Sequence, residues 1–407
     1  LKTADQTPGK NREIEILRGF AILFTLIVHL KVLLPPGNVI HSLLSYVDLS
    51  VGVDLFLVIS GFVITGSVLE SGRDYHGPVR NLMLGFWVKR IFRLLPAAWG
   101  WVLVAVLLQL LVTQLTDIQY AWQDIVIGAL AALMNAMNFY TPHCVANGGG
   151  LPCILENYLG HYWSLSLEEQ FYIVFPLLFF LLPRRVLVAV LVLALIAQFS
   201  WSRPLFHYSW YFKTDALCWG ILLALLSRVP AYRQLSFAWL EHRFFGAMVG
   251  LFFLALLPLV AIQIQGVGFD MKPYGVAVVA ILCAIIVWLA ALEKSVFSLG
   301  YYYDAVMLYL GSRSYSLYLS HLIAYFTVRD LMAYFGSSLA DTIGASAYAL
   351  LLLALAWSFT LLGAELSYRY IESRYRGYGR KIAGRLRASA QTDAATMAEP
   401  RARVGKS

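Results

Sequence analysis

Apolar runs close to 20 residues long recur along this chain, separated by short polar joints, and this pattern constrains the fold more than any single motif. A helical run of about 20 residues matches the hydrocarbon thickness of a bilayer. Lipid offers the backbone no hydrogen-bonding partners, so each run has to satisfy itself internally, which selects helices. Of the 407 residues, 60% are hydrophobic and only 13% charged, whereas soluble domains carry about a quarter charged residues. The pattern predicts an all-α, polytopic membrane protein with about ten transmembrane helices in one bundle. Candidate spans cover 17–34, 51–69, 95–115, 166–182, 186–200, 212–227, 243–262, 274–291, 314–333 and 345–366. The segment 121–139 is ambiguous, since it can either cross or lie at the interface. No cleavage signal is recognisable before the first run, which is therefore expected to be a retained span.

The formal net charge of +8 would suggest nucleic acid in a soluble protein. Here the basic residues sit in the joints between apolar runs, and no motif that reads a base is present, so nucleic acid is not an expected partner. Lys10 and Arg12 precede span one, and Arg80, Lys89, Arg90 and Arg93 lie between spans two and three. Arg184 and Arg185 follow span four, Arg228, Arg233 and Arg243 follow span six, Lys294 follows span eight, and a run from Arg369 to Lys381 follows span ten. If 121–139 does not cross, all these groups face one side, and the positive-inside bias makes that side cytoplasmic. The expected topology is thus ten crossings with both termini cytoplasmic and 116–165 as an outer excursion. A single membrane domain is expected over 1–375, followed by a basic cytoplasmic tail over 376–407 that is polar enough to be disordered. Cys218 and Cys283 fall within spans, as packing residues do. Cys144 and Cys153 fall in the outer excursion, where a disulfide is chemically allowed and two free thiols are the alternative. No cysteine spacing supports a metal site.

Ionisable residues inside the spans are the candidates for chemistry, because such groups normally face a bundle interior or an aqueous cavity. Arg18 and His29 in span one are separated by about 16 Å along a helix and by close to three turns, so they project from nearly the same face. Arg18 lies toward the inner lip and His29 toward the outer half, where a near-neutral imidazole can act as a proton acceptor or simply bond across helices. Asp54 stands near the outer start of span two, where capping is the plain alternative. Arg90 and Arg93 are one turn apart and can clamp a phosphate or pyrophosphate group, or else serve only as topology charges facing anionic lipid. Pro96 fits the first turn of a new helix. Glu168 and Glu169 fall in the N-terminal turns of span four near the outer surface. Their two directions differ by about 100°, so at least one should turn inward. Lys213 and Asp215 open span six, and His321 lies about two turns into span nine.

The stretches "EILRGFAILFTLIVH", "GVDLFLVISGFVITG", "FWVKRIFRLLPAAW", "YWSLSLEEQFYIVFPLL", "KTDALCWG", "LGSRSYSLYLSH" and "SYRYIES" occur in this order over residues 13 to about 375. Together they resemble the membrane-bound acyltransferase-3 family of bacterial O-acyltransferases. The resemblance implies a ten-helix core in the bacterial cytoplasmic (inner) membrane that moves an acyl group, usually acetyl, from cytoplasmic acyl-CoA to a hydroxyl. An envelope glycan or lipid-linked sugar is the expected acceptor, and no metal is expected. Arg18 and His29 match the family's arginine–histidine pattern, Arg90 and Arg93 its cytoplasmic arginine pair, Glu168 and Glu169 its acidic stretch, and His321 its late histidine. One departure is the final motif, which continues here as "IESRYRGYG" rather than through glutamate, lysine and proline. Some members carry a fused extracytoplasmic esterase-like domain. None is expected here, so the chain would transfer directly or through a separate partner protein. The expected roles are His29 as base, Glu169 or Glu168 fixing its tautomer or gathering the acceptor, Asp54 assisting at the outer mouth, and Arg18, Arg90 and Arg93 on the CoA side. Two other classes compete: a transporter or flippase of an envelope precursor, and a non-enzymatic scaffold of a glycan-assembly complex.

Overall fold

The computed structural model describes residues 11–34, 37–73, 75–149, 153, 157–204, 207–233, 237–262 and 273–402. Lys10 and the end of the basic tail, 403–407, lie outside the described residues. The principal helices are α1 (Arg12–Val28), α2 (Val51–Gly72), α3 (Val79–Leu115), α4 (Trp122–Leu133), α5 (Met137–Cys144), α6 (Tyr162–Leu181) and α7 (Arg184–Phe199). They continue with α8 (Thr214–Leu226), α9 (Arg243–Ile262), α10 (Gly275–Ala291), α11 (Tyr301–Ser312), α12 (Ser314–Phe335), α13 (Ala345–Ser367) and α14 (Ser373–Ala402). The chain is an all-α, polytopic membrane protein.

Among the described residues, five helices are long and apolar enough to cross a bilayer on those grounds alone: α2, α3, α6, α9 and the run Ala345–Ser389 that begins with α13. Ten were expected. The other candidates fall short for identifiable reasons. Helices α7, α8 and α10 have 16, 13 and 17 residues. Helix α1 has 17 residues and carries Glu13, Glu15 and Arg18. Helix α12 is long enough, at 22 residues, but it is rich in serine and tyrosine and carries His321, Arg329 and Asp330. Every residue of α12 from Ser314 to Val328 is buried. A helix enclosed by protein need not be apolar around its circumference, because its polar groups find partners on neighbouring helices.

Close approach of these helices depends on small residues. A Cβ at Gly61 would stand 2.4 Å from Leu217 O, and one at Gly220 would stand 2.2 Å from Val58 O. The α2 and α8 backbones therefore touch where neither chain carries a side chain.

The ambiguous segment 121–139 contains α4, whose 12 residues span about 18 Å and cannot cross a hydrocarbon core of about 30 Å. The excursion is closed by a Cys144–Cys153 disulfide. It is tied to α12 through Asp330, whose carboxylate accepts from Tyr120 Oη at 2.5 Å, Tyr158 Oη at 2.8 Å and Arg329 Nε at 2.7 Å.

Two local expectations are corrected. Pro96 does not open a new helix; it lies inside the continuous 37-residue α3. The stretch from 376, expected as a disordered tail, is part of α14 instead. Its small residues let it lie against the N-terminal arm of α3. Ala383 is buried, a Cβ at Gly379 would meet Phe92 Cβ at 2.7 Å, and Asn81 Nδ2 donates to Leu386 O at 3.3 Å.

Candidate active site

Three histidine rings stand in sequence toward one end of the bundle. The His29 and His321 ring centres are 5.0 Å apart, and those of His321 and His161 are 5.1 Å apart. The carbonyl groups around them fix where the protons sit, because a carbonyl oxygen can only accept. Nδ1 of His29 lies 2.7 Å from Thr25 O, so Nδ1 carries the proton. Nδ1 of His321 lies 2.6 Å from Tyr318 O and carries the proton of that ring. Nε2 of His321 is therefore bare, and it shares the His29 proton across 3.2 Å. This assignment leaves Nε2 of His29 unprotonated on a partly exposed residue. His161 points Nε2 at Leu319 O across 3.3 Å, and its buried Nδ1 has no partner.

Toward the other end of the bundle, a cavity holding about 770 Å³ of space, part of it open to solvent, is lined by Arg18, Ser60, Arg90, Arg93, Glu168 and Tyr318 among others. Helices α1 and α3 thus aim three guanidinium groups into one space. Arg18 donates to Ser314 Oγ at 3.0 Å and lies 3.7 Å from Glu15. Among the described residues, neither Arg90 nor Arg93 makes an ion pair or a hydrogen bond. Arg90 lies over the Tyr172 and Phe86 rings at 5.1 and 5.5 Å, and Nε of Arg93 is buried without a partner. Guanidinium groups left in this state are suited to an anionic visitor with several oxygens.

The sequence matches the Acyl_transf_3 family, described as an acyltransferase domain, over residues 11–361. The chain belongs to this acyltransferase-3 family. It is also 28% identical over 387 residues to "O-acetyltransferase OatA" of Staphylococcus aureus strain NCTC 8325 / PS 47, covering 90% of this chain and 57% of the relative. The same-named protein of strain COL gives the same values. The chain thus spans somewhat over half the length of the curated relatives it matches. No solved structure matches.

Within this acyltransferase-3 chain the expected site residues divide into three groups. His29 and His321 meet directly. Arg18, Arg90, Arg93 and Glu168 share the cavity. Glu168 accepts from Ser60 Oγ and Tyr172 Oη, which places it across from α2. Glu169 is half-buried beside Arg90 and Glu168, and among the described residues neither carboxylate hydrogen-bonds to His29. The third group forms a separate charged layer. Asp54 pairs with Lys213 Nζ at 2.9 Å, and Lys213 also lies 4.0 Å from the Trp210 ring centre. Asp54 therefore binds across helices in place of capping α2, and its Oδ1 has no partner. Asp215 takes two hydrogen bonds of 2.9 Å from the buried Arg203. Among the described residues, no set of three His, Cys, Asp or Glu side chains is disposed to hold a metal ion.

Sequence reasoning missed His161, Ser60 and Tyr318. His161 heads the "HYWSLSLEEQ" stretch, so its position was in view. Its role was not, because its neighbours lie more than 150 residues away on α12.

Proposed function

We propose that the chain is an integral-membrane O-acyltransferase that moves an acyl group, foremost acetyl, from cytoplasmic acyl-CoA to a hydroxyl of an envelope glycan or lipid-linked sugar. The observation that carries this reading is the cavity itself: among the described residues Arg90 and Arg93 make no ion pair or hydrogen bond there, and Tyr318, which lines it, packs against His321 and His161. The arginines hold the phosphates of the donor, and the pantetheine arm extends toward the histidines. The name of the related S. aureus O-acetyltransferases supports an oxygen acceptor and an acetyl donor. Ten crossings, both termini cytoplasmic and residence in the bacterial cytoplasmic membrane complete the reading. The remaining crossings are assigned to α1, α7, α8, α10 and α12.

In the reaction, the acceptor hydroxyl oxygen attacks the thioester carbonyl carbon while His29 Nε2 removes its proton. Thr25 O and His321 hold the His29 tautomer that leaves Nε2 free, the task first expected of Glu169. Collapse of the tetrahedral intermediate breaks the C–S bond, and the proton on His29 passes to the departing CoA sulfur. Glu168 and Glu169 stand near Arg90 and partly balance its charge.

The test is CoA thiol release and acetyl transfer by the purified chain in nanodiscs, using acetyl-CoA and isolated envelope saccharide. Wild-type protein should consume the thioester, and His29→Ala of matched thermal stability should not. A chain that binds acetyl-CoA but never cleaves it would be a transporter or a scaffold.

A further inference from the structure

Ser164 on α6 and Tyr318 on α12 stand where the arginine cavity approaches the histidines. Both line that cavity. Their hydroxyl oxygens are 2.6 Å apart. Tyr318 Oη also donates to the His161 carbonyl at 2.9 Å, and its ring centre lies 5.4 Å from those of both His161 and His321. The lining also includes the apolar Val53, Phe56 and Leu165, with Glu168 one helical turn beyond Ser164.

A proton count shows what this pair can offer. The two hydroxyls hold two protons. Tyr318 gives its proton to the His161 carbonyl, and Ser164 gives its own to the Tyr318 oxygen. The alternative acceptor for Ser164, the same carbonyl, is 3.5 Å away, at the limit of a hydrogen bond. A serine O–H rotates freely, so this proton can turn to a better acceptor entering the cavity. A developing oxyanion is such an acceptor, and charge-assisted hydrogen bonds strengthen in apolar surroundings.

Building on the acyl-transfer reading, we propose that Ser164 and Tyr318 bind the thioester carbonyl oxygen of the donor and hydrogen-bond to the oxyanion it becomes. When the acceptor oxygen bonds to the carbonyl carbon, the C=O electron pair moves onto this oxygen. Ser164 turns its proton to the oxyanion, and Tyr318 releases the His161 carbonyl to add a second hydrogen bond. When the intermediate collapses, the electron pair returns to re-form C=O, the C–S bond breaks and both hydroxyls resume their mutual contact. Neither residue gains or loses a proton over the cycle. The purely architectural alternative is that these hydroxyls only brace α6 against α12.

The experiment uses the full chain in nanodiscs. It measures CoA thiol release from acetyl-CoA and, separately, binding of S-propyl-CoA, a thioether that keeps every phosphate but lacks the carbonyl. Ser164→Ala and Tyr318→Phe should each lower turnover at saturating donor by about 10²-fold, the usual cost of one oxyanion donor, while S-propyl-CoA binding stays within about twofold. Ser164→Thr, which keeps the hydroxyl, should restore most of the rate. Wild-type turnover in either Ser164→Ala or Tyr318→Phe would overturn the proposal. So would equal losses in turnover and S-propyl-CoA binding, since a brace would produce that result. Absence of thiol release from the wild-type chain would overturn the acyltransferase reading itself, and this proposal with it. Thiol release by wild type that persists in the variants would remove the two hydroxyls alone.

Discussion

Nε2 of His321 lies 3.2 Å from Nδ1 of His29, across 292 residues of sequence. The two rings share a single proton at that contact, and the Thr25 carbonyl assigns it to His29. His321→Ala should therefore lower turnover without removing the base. We expect a loss of about 10–100-fold, smaller than the 10²–10⁴-fold expected for His29→Ala. His321→Gln, whose side-chain oxygen can accept from Nδ1–H, should lie between His321→Ala and wild type. The measurement is thiol release at saturating acetyl-CoA, with thermal midpoints matched.

The arginine pair gives a prediction about binding. Among the described residues Arg90 and Arg93 make no direct ion pair, so their removal breaks no salt bridge, although Glu168 and Glu169 lose a nearby positive charge with Arg90. Arg90→Gln and Arg93→Gln should each weaken acetyl-CoA binding by about tenfold or more, the worth of a charge-assisted hydrogen bond. Thermal midpoints should stay near wild type. Calorimetric titration in nanodiscs measures the first quantity and a thermal melt the second.

The buried Asp54–Lys213 pair predicts the opposite pattern. Asp54 is 1% and Lys213 4% exposed, so removing one partner strands the other. Lys213→Met should cost about 3–5 kcal/mol, and adding Asp54→Asn should recover a large part of that loss. Unfolding midpoints of the two single variants and the double variant check this; additive losses would contradict it.

Glu13, in the first turn of α1, predicts a pH dependence. Burial raises its carboxyl from the ordinary 4.5 to about 7; Glu293 and Asp304 add to the rise, while the Phe297 N–H opposes it. Between about pH 4.5 and 7 the folded chain keeps a proton that the unfolded chain has lost. Stability therefore falls as pH rises through this window, and the whole penalty is present above pH 7. Glu13→Gln should melt higher than wild type at pH 8, by an amount equivalent to at most about 3 kcal/mol, and the difference should vanish below pH 4.5.

Much of the helical architecture was legible because lipid and protein interior impose one rule on the backbone, and runs of about 20 apolar residues satisfy it visibly. The short outer helices and the pairing of Cys144 with Cys153 were also within reach. What a single sequence withholds is which helix faces which. Capping stayed open as an alternative for Asp54 because Lys213, 159 positions away, cannot be seen as its neighbour. Glu168 likewise finds a hydroxyl partner in Ser60 on α2, 108 positions away, which the sequence does not reveal. The count of ten crossings met the same obstacle from the other side. Polarity along α12 lowers its resemblance to a lipid-facing helix, although that polarity is what a wholly enclosed helix can carry.

The Asp54–Lys213 contact also sets a timetable for the newborn chain. Asp54 leaves the ribosome 159 residues before its partner. At about 5–20 residues per second, its helix waits roughly 8–30 s for the cation that neutralises it. During this interval α2 cannot settle in hydrocarbon with a bare carboxylate. It must stay protonated, stay near water, or shelter in the insertion machinery until α8 emerges. Assembly of this bundle is thus a matter of order in time, with the second helix admitted provisionally and secured only by the eighth.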